Sequence, residues 1–443
     1  MAHAASSEPL TVTDRLLAPI QRILGQDSTT GIILIMAALI AFIWANSPWA
    51  EGYFHLKHLS SGISVGGFEL VEPLELWIND FLMVIFFFVV GLEIKREFLI
   101  GELAGLKRAS LPIAGAIGGM VIPALIYVAF NYGEPTVRGW GVPMATDIAF
   151  AVGVLSLVGD RVPLALRVFL LALAIVDDLG AVLVIAFFYT ADLHLDALFI
   201  SLGFWVLAIL YGRFGHAKGL WFAVIGLFMW YYMHHSGVHA TIAGVLMAMA
   251  VPLRATMNEA KVEDELSAVL DNSNDETDLK IERLTTVVDQ AQSPLIRMEH
   301  ALSPWVSLLI MPLFALFNAG VTVIGMEGEG SLLSLPTYGA FFGLLIGKPV
   351  GICLLVWLAC VTGLADFPKG SSWLGMAAIG LLAGIGFTMA LFVANLAFGG
   401  SIELDQAKIG VLSASVVAAI VGYFLLAREF SQEAVAKRAE AAA

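Results

Sequence analysis

Two neighbouring aspartates, Asp177 and Asp178, lie in the middle of an otherwise apolar run. From Leu164 to Phe188 nearly all the other residues are Ala, Leu, Val, Ile or Phe, a length that crosses a bilayer of roughly 30 Å as a helix. Ionisable side chains are costly in such a segment, so they indicate a functional site. Because neighbours on a helix point about 100° apart, the two carboxyls face different surroundings.

Four more charged residues are predicted at membrane depth: Asp147, Lys348, and Asp80 and Glu93, which bracket the second predicted crossing. A carboxyl beside another carboxylate in a low dielectric retains its proton more strongly than in water. A small hard cation such as Na⁺ binds the same carboxylate and carbonyl oxygens. These residues therefore predict a buried site at which protons and a cation compete.

Structural roles are alternatives for each of these residues. Asp177 and Asp178 would then be buried capping or ion-paired groups, and Asp147 would form a salt bridge with Lys348. Lys348 carries a transported proton, pairs with an aspartate, or offsets the dipoles of helix ends, and the sequence does not separate these roles.

Two further polar clusters are open to two interpretations. Glu93, Arg96 and Glu97 are spaced three and four residues apart at the inner end of the second crossing. They form either a surface ion-pair ladder or a mouth cluster whose protonation gates cation entry. The histidines of Met233–His239 suggest a metal, but no carboxylate or cysteine near them in the sequence completes a ligand set, so metal binding is not expected.

The composition defines the class of protein that positions these groups. The chain is 59% hydrophobic and 14% charged, whereas an ordinary soluble domain has roughly 25% charged residues. An all-α polytopic membrane protein with about twelve transmembrane helices is predicted. The predicted crossings are Thr29–Asn46, Trp77–Phe98, Leu111–Phe130, Val142–Val158, Leu164–Tyr189, Leu195–Phe214, Gly219–His234, Val238–Val251, Pro304–Ile324, Tyr338–Val361, Trp373–Phe398 and Gln406–Ala427.

The distribution of basic residues predicts the orientation. Of the 23 Lys and Arg residues, only Lys57, Arg138 and Lys408 fall in the predicted outside loops, so both termini are expected in the cytoplasm. The chain then divides into a cytoplasmic N-terminal segment (1–28), a membrane domain (29–428) with an acidic cytoplasmic loop (255–300), and a cytoplasmic tail (429–443). An interfacial helix is expected from Leu10 to Leu24.

Two of the crossings are predicted to be interrupted. Pro143 and Gly153 flank Asp147, and three glycines crowd the segment Gly380–Thr388. Such segments unwind near the midplane and leave partly charged helix ends that Asp147 and Lys348 would offset. The alternative is that the glycines only allow close helix packing.

A short hairpin is predicted between the first two crossings. Residues 62–65 and 68–71 alternate in polarity about Gly66 and Gly67, a turn that closes a β-hairpin. A free strand edge there would pair with a second copy of the chain. The alternative is a disordered polar loop.

Five motifs together are similar to one known family. They are Ala-Thr146-Asp147-Ile-Ala-Phe-Ala, Ala-Ile-Val-Asp177-Asp178-Leu-Gly-Ala, Gly-Val-His239-Ala-Thr-Ile-Ala-Gly, Gly347-Lys348-Pro-Val-Gly and Gly-Ile-Gly386-Phe-Thr-Met. In this order, from about Thr29 to about Arg428, they closely resemble the bacterial NhaA-type sodium/proton antiporters.

The resemblance implies a fold and a set of site residues. The fold is an inner-membrane bundle of twelve helices with inverted repeats and two discontinuous helices that cross at Asp147 and at Gly384–Thr388, an architecture of which this family is a known example. The implied ion site has Asp177 and Asp178 as Na⁺ ligands, with Thr146, Asp147 and Lys348 around them. Asp80 would lie on the outer side, and the implied pH-responsive residues are Glu93, Arg96, Glu97, His239 and Glu299.

The resemblance also implies an activity. Members exchange one Na⁺ or Li⁺ outward for two H⁺ inward by alternating access, are pH-regulated, support salt tolerance, and form homodimers through the segment that corresponds to Ile63–Val71. A secondary transporter in membrane lipid is thus expected, with no enzymatic activity, cofactor or nucleic-acid partner. The alternatives are a Na⁺-coupled organic anion symporter and an intramembrane aspartyl protease. The residues before Asp147 and Asp177 do not match the protease motifs.

Overall fold

The computed structural model describes residues 27–65, 68–190, 193–214, 218–254, 291–323 and 333–431, and seven positions between 262 and 287. Four predicted features lie wholly or mainly outside these residues: the helix from Leu10 to Leu24, the Gly66-Gly67 turn, the acidic loop before Gln290, and the tail beyond residue 431.

The described chain is almost entirely helical. Its helices are α1 (Asp27–Ala45), α2 (Ala50–His58), α3 (Leu74–Leu99), α4 (Leu106–Phe130), α5 (Ile148–Val158), α6 (Leu164–Phe188), α7 (Leu195–Arg213), α8 (Gly219–His234), α9 (Thr241–Ala250), α10 (Pro294–Asn318), α11 (Leu335–Val361), α12 (Trp373–Ala383), α13 (Phe387–Phe398) and α14 (Ile402–Glu429). A 3₁₀ helix, Pro135–Met144, precedes α5.

Seven of the described helices are long and apolar enough to cross a membrane, and the number rises to ten if each bent pair of helices is one span. The bent pairs are α1 with α2 (112°), the 3₁₀ helix with α5 (43°), and α12 with α13 (49°). The chain is therefore a multi-pass membrane protein. The predicted count of about twelve crossings and the inverted repeats stay predictions, since α8 and α9 are shorter than a full span.

Local sequence explains where three of the helices, α10, α11 and α12, begin. Ser293, Ser334 and Ser372 each stand before a helix and accept a hydrogen bond from the backbone N–H three residues on. Such caps satisfy a backbone donor that the helix leaves free. Because α10 begins after Ser293, the predicted start at Pro304 is wrong, and Glu299 lies on the helix.

Three helices contain a π turn, at Trp77–Leu82 in α3, Val306–Ile310 in α10 and Gly343–Gly347 in α11. A π turn inserts an extra residue into the helix and is frequent at functional sites. The first of them carries Asp80, and the third ends directly before Lys348.

The two predicted interruptions are present in the structure. Residues 145–147 are not helical, and the chain is interrupted again at residues 384–386. The backbone N–H of Asp147 donates to the carbonyl of Ile385 over 2.7 Å, so the two interruptions touch. Nearly every residue from Met376 to Val393 is buried, which puts the second interruption in the apolar core.

Two strands, β1 (Ser60–Val65) and β2 (Phe68–Pro73), pair antiparallel, from Ser60 opposite Pro73 to Val65 opposite Phe68. The side chain of Trp77 donates to the carbonyl of Ser61 over 2.8 Å and holds β1 against the start of α3. The location of this pair outside the membrane stays a prediction.

Close packing of α11 on α4 positions Lys348. A methyl group on Gly351 would lie 2.0 Å from the carbonyl oxygen of Gly118, and one on Gly118 would lie 2.0 Å from the oxygen of Gly351. Both positions therefore require glycine. One turn away, the stem of Lys348 lies 3.8 Å from where a methyl on Gly119 would be, so this contact sets the depth of the lysine.

Gly351→Ala is expected to separate α4 from α11 and to lower the free energy of unfolding by roughly 1–3 kcal/mol, as overpacking does. Thermal unfolding in detergent micelles measures this loss. The matched control is Gly203→Ala in α7, where nothing lies within 4 Å of the added methyl group. A Gly351 variant as stable as the Gly203 variant would show that the close contact is not required.

Candidate functional site

Asp147 lies where the two interruptions meet and caps the first turns of two helices. Its side chain accepts a hydrogen bond from the N–H of Phe150 in α5 (3.0 Å) and from the N–H of Thr388 in α13 (3.2 Å). The hydroxyl of Thr388 also donates to it. A carboxylate at a helix N-terminus is favoured by the helix dipole, and here one carboxylate serves two helices.

Asp177, near the middle of α6, forms a buried ion pair with Lys348 of α11. Thr146 joins the pair: it accepts a hydrogen bond from Lys348 Nζ (2.6 Å) and lies 2.6 Å from Asp177 Oδ2. Its hydroxyl also lies 2.8 Å from the carbonyl oxygen of Ala383, the last residue of α12. The ion pair therefore connects α6 and α11 to both interrupted segments.

Two carboxylate oxygens of the site have no hydrogen-bond partner. They are Oδ1 of Asp177 and Oδ1 of Asp178, and both are fully buried. Unpartnered buried oxygens are costly, so they mark positions that a proton or a cation would fill. Asp178 also interacts electrostatically with Glu93 and Asp147.

The charges of the site do not balance. Asp147, Asp177, Asp178, Lys348 and Thr146 are all at most 2% exposed, and this group has three carboxyls but one ammonium. In the described part of the chain, Lys348 is the one basic side chain in contact with these carboxyls. Since uncompensated buried charge is strongly unfavourable, the remaining two carboxyls require protons or a bound cation.

For the ion site, the structure corrects one sequence prediction and adds one residue. The alternative in which Asp147 pairs with Lys348 is wrong. Lys348 forms its ion pair with Asp177, whereas the Asp147 carboxylate accepts a hydrogen bond from the hydroxyl of Thr388. The sequence predicts Thr388 in the interrupted segment but not in the ion site. Its position directly after a glycine-rich break, at the start of a half-helix, was the signal for its role.

Arg96 of α3 forms the centre of a second cluster. Its guanidinium pairs with Glu299 of α10 at 2.7 Å and with Glu97 at 3.1 Å. Glu93 interacts electrostatically with both Arg96 and Glu299, and one oxygen of Glu299 is buried without a hydrogen-bond partner. Arg96, Glu97 and Glu299 are thus in contact, and Glu93, one turn before Glu97 on α3, lies near enough to interact electrostatically with Glu299 and with Asp178.

His239 lies apart from this cluster, beside Asp80. Its Nε2 is 3.8 Å from Asp80 Oδ1, and its Nδ1 is 2.8 Å from the hydroxyl of Thr241. His234 lies 2.9 Å from the other oxygen of Asp80, a contact that the sequence does not predict. Within the described residues, no group of three or more His, Cys, Asp or Glu side chains is arranged to hold a metal ion.

The fold and the site together define a class: multi-pass membrane proteins in which broken helices surround buried ionisable groups, as in secondary transporters. Residues 21–426 match the family model described as Na⁺/H⁺ antiporter 1. The chain belongs to this Na⁺/H⁺ antiporter family.

Individual relatives cover almost the whole chain. A protein of Oleidesulfovibrio alaskensis named Na(+)/H(+) antiporter NhaA is 48% identical over 95% of this chain and 96% of its own length. Proteins of the same name from Koribacter versatilis and Pelagibacter ubique are 45% and 44% identical, over 96% and 90% of this chain and 94% and 95% of theirs.

Lys348→Met is expected to destabilise the protein by roughly 3–5 kcal/mol, because it leaves the Asp177 carboxylate buried without its cation. The double variant Lys348→Met, Asp177→Asn removes both charges and is expected to recover much of this loss. Thermal unfolding in detergent measures both.

The pH dependence supplies the control for this pair. At low pH, Asp177 takes up a proton in the single variant, so the difference between single and double variants is expected to disappear as the pH falls. Equal stability of the two variants at all pH values would contradict the ion pair.

Proposed function

We propose that this protein is an electrogenic secondary antiporter, not an enzyme, that exports one Na⁺ or Li⁺ in exchange for about two H⁺. Membership of the Na⁺/H⁺ antiporter family supports Na⁺ and H⁺ as the transported ions, and the relatives carry the same name. The observation that carries the mechanism is the charge imbalance of the site: three buried carboxyls beside a single ammonium.

Competition between protons and sodium follows from that imbalance. When Asp147 and Asp178, the two carboxyls that lack a cation, hold protons, the site is neutral and its charged carboxylate, Asp177, is paired with Lys348. When Na⁺ enters, the free oxygens of Asp177 and Asp178 supply hard ligands, both protons leave, and the N-termini of α5 and α13 offset the negative charge of Asp147. Exchange of two protons for one monovalent cation moves net charge, so the membrane potential drives it, at about 2.3 kcal/mol per charge for each 100 mV.

The two interrupted helices supply the means of alternating access. Asp147 and Thr146 bond to residues of both interruptions, so a change of occupancy at the carboxyls reaches the ends of four helical segments. The ends of half-helices carry partial charges on their backbone groups, so they interact with an ion without a charged side chain. They also reorient without breaking a regular helix. In this proposal their rearrangement exposes the site to one side of the membrane at a time.

Asp178→Asn is expected to abolish exchange, because an amide neither releases a proton nor gives a charged ligand to Na⁺. The assay is the Na⁺-evoked collapse of a respiration-generated pH gradient in everted membrane vesicles, with K⁺ as the control ion. The matched control variant is Asp196→Asn, an exposed aspartate at the start of α7. An unchanged response in the Asp178 variant would refute the assignment of the site.

We also assign a pH-regulating role to the cluster of Glu93, Arg96, Glu97 and Glu299. The cluster lies on α3 and α10, and Glu93 is coupled electrostatically to Asp178. Protonation of a carboxyl in this cluster changes the field at the ion site without any change in the site itself. For His239, which lies beside Asp80, the same role would act from the predicted outer side.

Glu299→Gln is expected to move the pH profile of exchange toward lower pH by about one pH unit, with the maximal rate unchanged. The substitution removes one negative charge next to Glu93, so that the neighbouring carboxyls release protons more readily. Proton flux in vesicles at a series of pH values measures the shift. Glu102→Gln, at an exposed glutamate in the turn that follows α3, is the control, and equal profiles for both variants would contradict the role.

The remaining parts of the proposal concern location and assembly. We place the protein in the bacterial inner membrane with both termini in the cytoplasm, on the support of the distribution of Lys and Arg. We also propose a homodimer through the Ile63–Val71 segment, surrounded by membrane lipid. Among the described residues the sheet consists of β1 and β2 only, so each strand has an edge that a second copy can pair with.

A further inference from the structure

Three side chains lie in a row along α13, between the ion site and the predicted outer end of the helix. Thr388 bonds to Asp147, Phe392 follows four residues later, and Asn395 three residues after that. Spacings of four and three place side chains on one face of a helix. Phe392 and Asn395 therefore lie directly between the ion site and the predicted outer surface.

Phe392 belongs to a layer of aromatic side chains. Its ring lies 5.6 Å from that of Phe87 in α3 and 6.0 Å from that of Phe314 in α10. All three rings are at most 1% exposed. His239 also packs against Phe392, at 5.5 Å between ring centroids, but the three phenylalanine rings themselves give a hydrated ion nothing to bind. Apolar constrictions of this kind close channels by excluding water.

Asn395 belongs to a second layer, built from amides of the same three helices. Asn395 Nδ2 donates to Asn318 Oδ1 of α10 over 2.6 Å. Asn318 and Asn79 of α3 exchange two hydrogen bonds, at 2.7 and 3.2 Å. Asn318 is fully buried, whereas Asn79 and Asn395 are half-buried, so this layer is the nearer of the two to the surface.

We propose that these two layers are the outer gate of the transporter, with Phe392 as the barrier to ions and Asn395 as the residue that holds the gate closed. This inference rests on the proposed transport function and orientation. An ion leaves the site outward only when α13 separates from α3 and α10, and both layers open together because each contains one residue from each helix.

The chemistry of the amide layer suits repeated opening. A hydrogen bond between neutral groups contributes only about 1 kcal/mol net, because both partners bond to water once they separate. The amides lie in the layer nearer to the surface, so hydrogen bonds to water replace their hydrogen bonds to each other at little cost in free energy. An ion pair in their place would resist opening more strongly.

The test measures access to the ion site from outside. Cys353→Ser and Cys360→Ser remove the two native cysteines, and Thr388→Cys then places a reporter thiol at the site. Intact cells are treated with a membrane-impermeant cationic methanethiosulfonate, and the rate of modification is measured. Asn395→Ala in this background is expected to raise the rate about fivefold, the effect of one lost hydrogen bond on an opening equilibrium. Phe392→Ala is expected to raise it further.

Asn46→Ala is the matched control. Its side chain also holds a backbone segment at the same end of the bundle, by bonds of 2.7 Å to Val321 and Val323, but it lies in the turn after α1, away from the row on α13. Asn395→Ser also removes the amide but leaves a polar side chain in its place. This variant keeps the test decisive if the alanine variant does not insert into the membrane.

Three results would overturn the gate: no increase with either Asn395 variant, an equal increase with Asn46→Ala, or an increase only when reagent reaches the cytoplasmic side in everted vesicles. Failure of the proposed function gives a different result, because the wild-type protein would then lack Na⁺-driven proton flux while the accessibility rates stayed as expected.

Discussion

The ion pair between Asp177 and Lys348 is the interaction on which the rest of the structure depends. A lysine with no exposure to solvent is unfavourable unless a carboxylate lies close by and the surrounding helices keep both in place. The glycine contact between α4 and α11 brings the lysine to the required depth. Thr146 then bonds to the pair, and through Thr146 the interrupted segments are tied to α6 and α11.

The interrupted helices are stable because their free backbone groups are used. In an apolar environment each unpaired N–H or C=O is costly, so a break in a helix is tolerated only where other groups satisfy the ends. Here Asp147 accepts from the first turns of α5 and α13, and its own N–H bonds to Ile385. The groups that stabilise the breaks are therefore the groups that surround the ion site.

Several parts of the site could be predicted from the sequence because they are local. A pair of aspartates in an apolar run, and glycines or proline around Asp147 and Thr388, are visible without a structure. Contacts between distant helices are not. The partner of Lys348, the double cap by Asp147, and the contact of His234 with Asp80 depend on how the helices pack, which hydropathy and spacing do not specify.

Helix boundaries show a second limit of sequence patterns. The apolar run Pro304–Ile324 predicts a crossing that starts at Pro304, but Ser293 caps the helix earlier and brings Glu299 onto it. A charged residue does not end a helix when it pairs with a residue of a neighbouring helix, as Glu299 of α10 does with Arg96 of α3. Hydropathy records the part of a helix that contacts lipid or core, and capping residues record where the helix begins.

The π turn before Lys348 sets the direction in which the lysine points. A π turn holds one residue more than a regular turn, so the residues after it are rotated by about 100° around the helix axis relative to an uninterrupted helix. Pro349, which follows Lys348 directly, has no N–H to donate and suits a place where the regular hydrogen-bond pattern is already broken. The approach of the ammonium to Asp177 therefore depends on one extra residue in α11 as well as on where the helix packs.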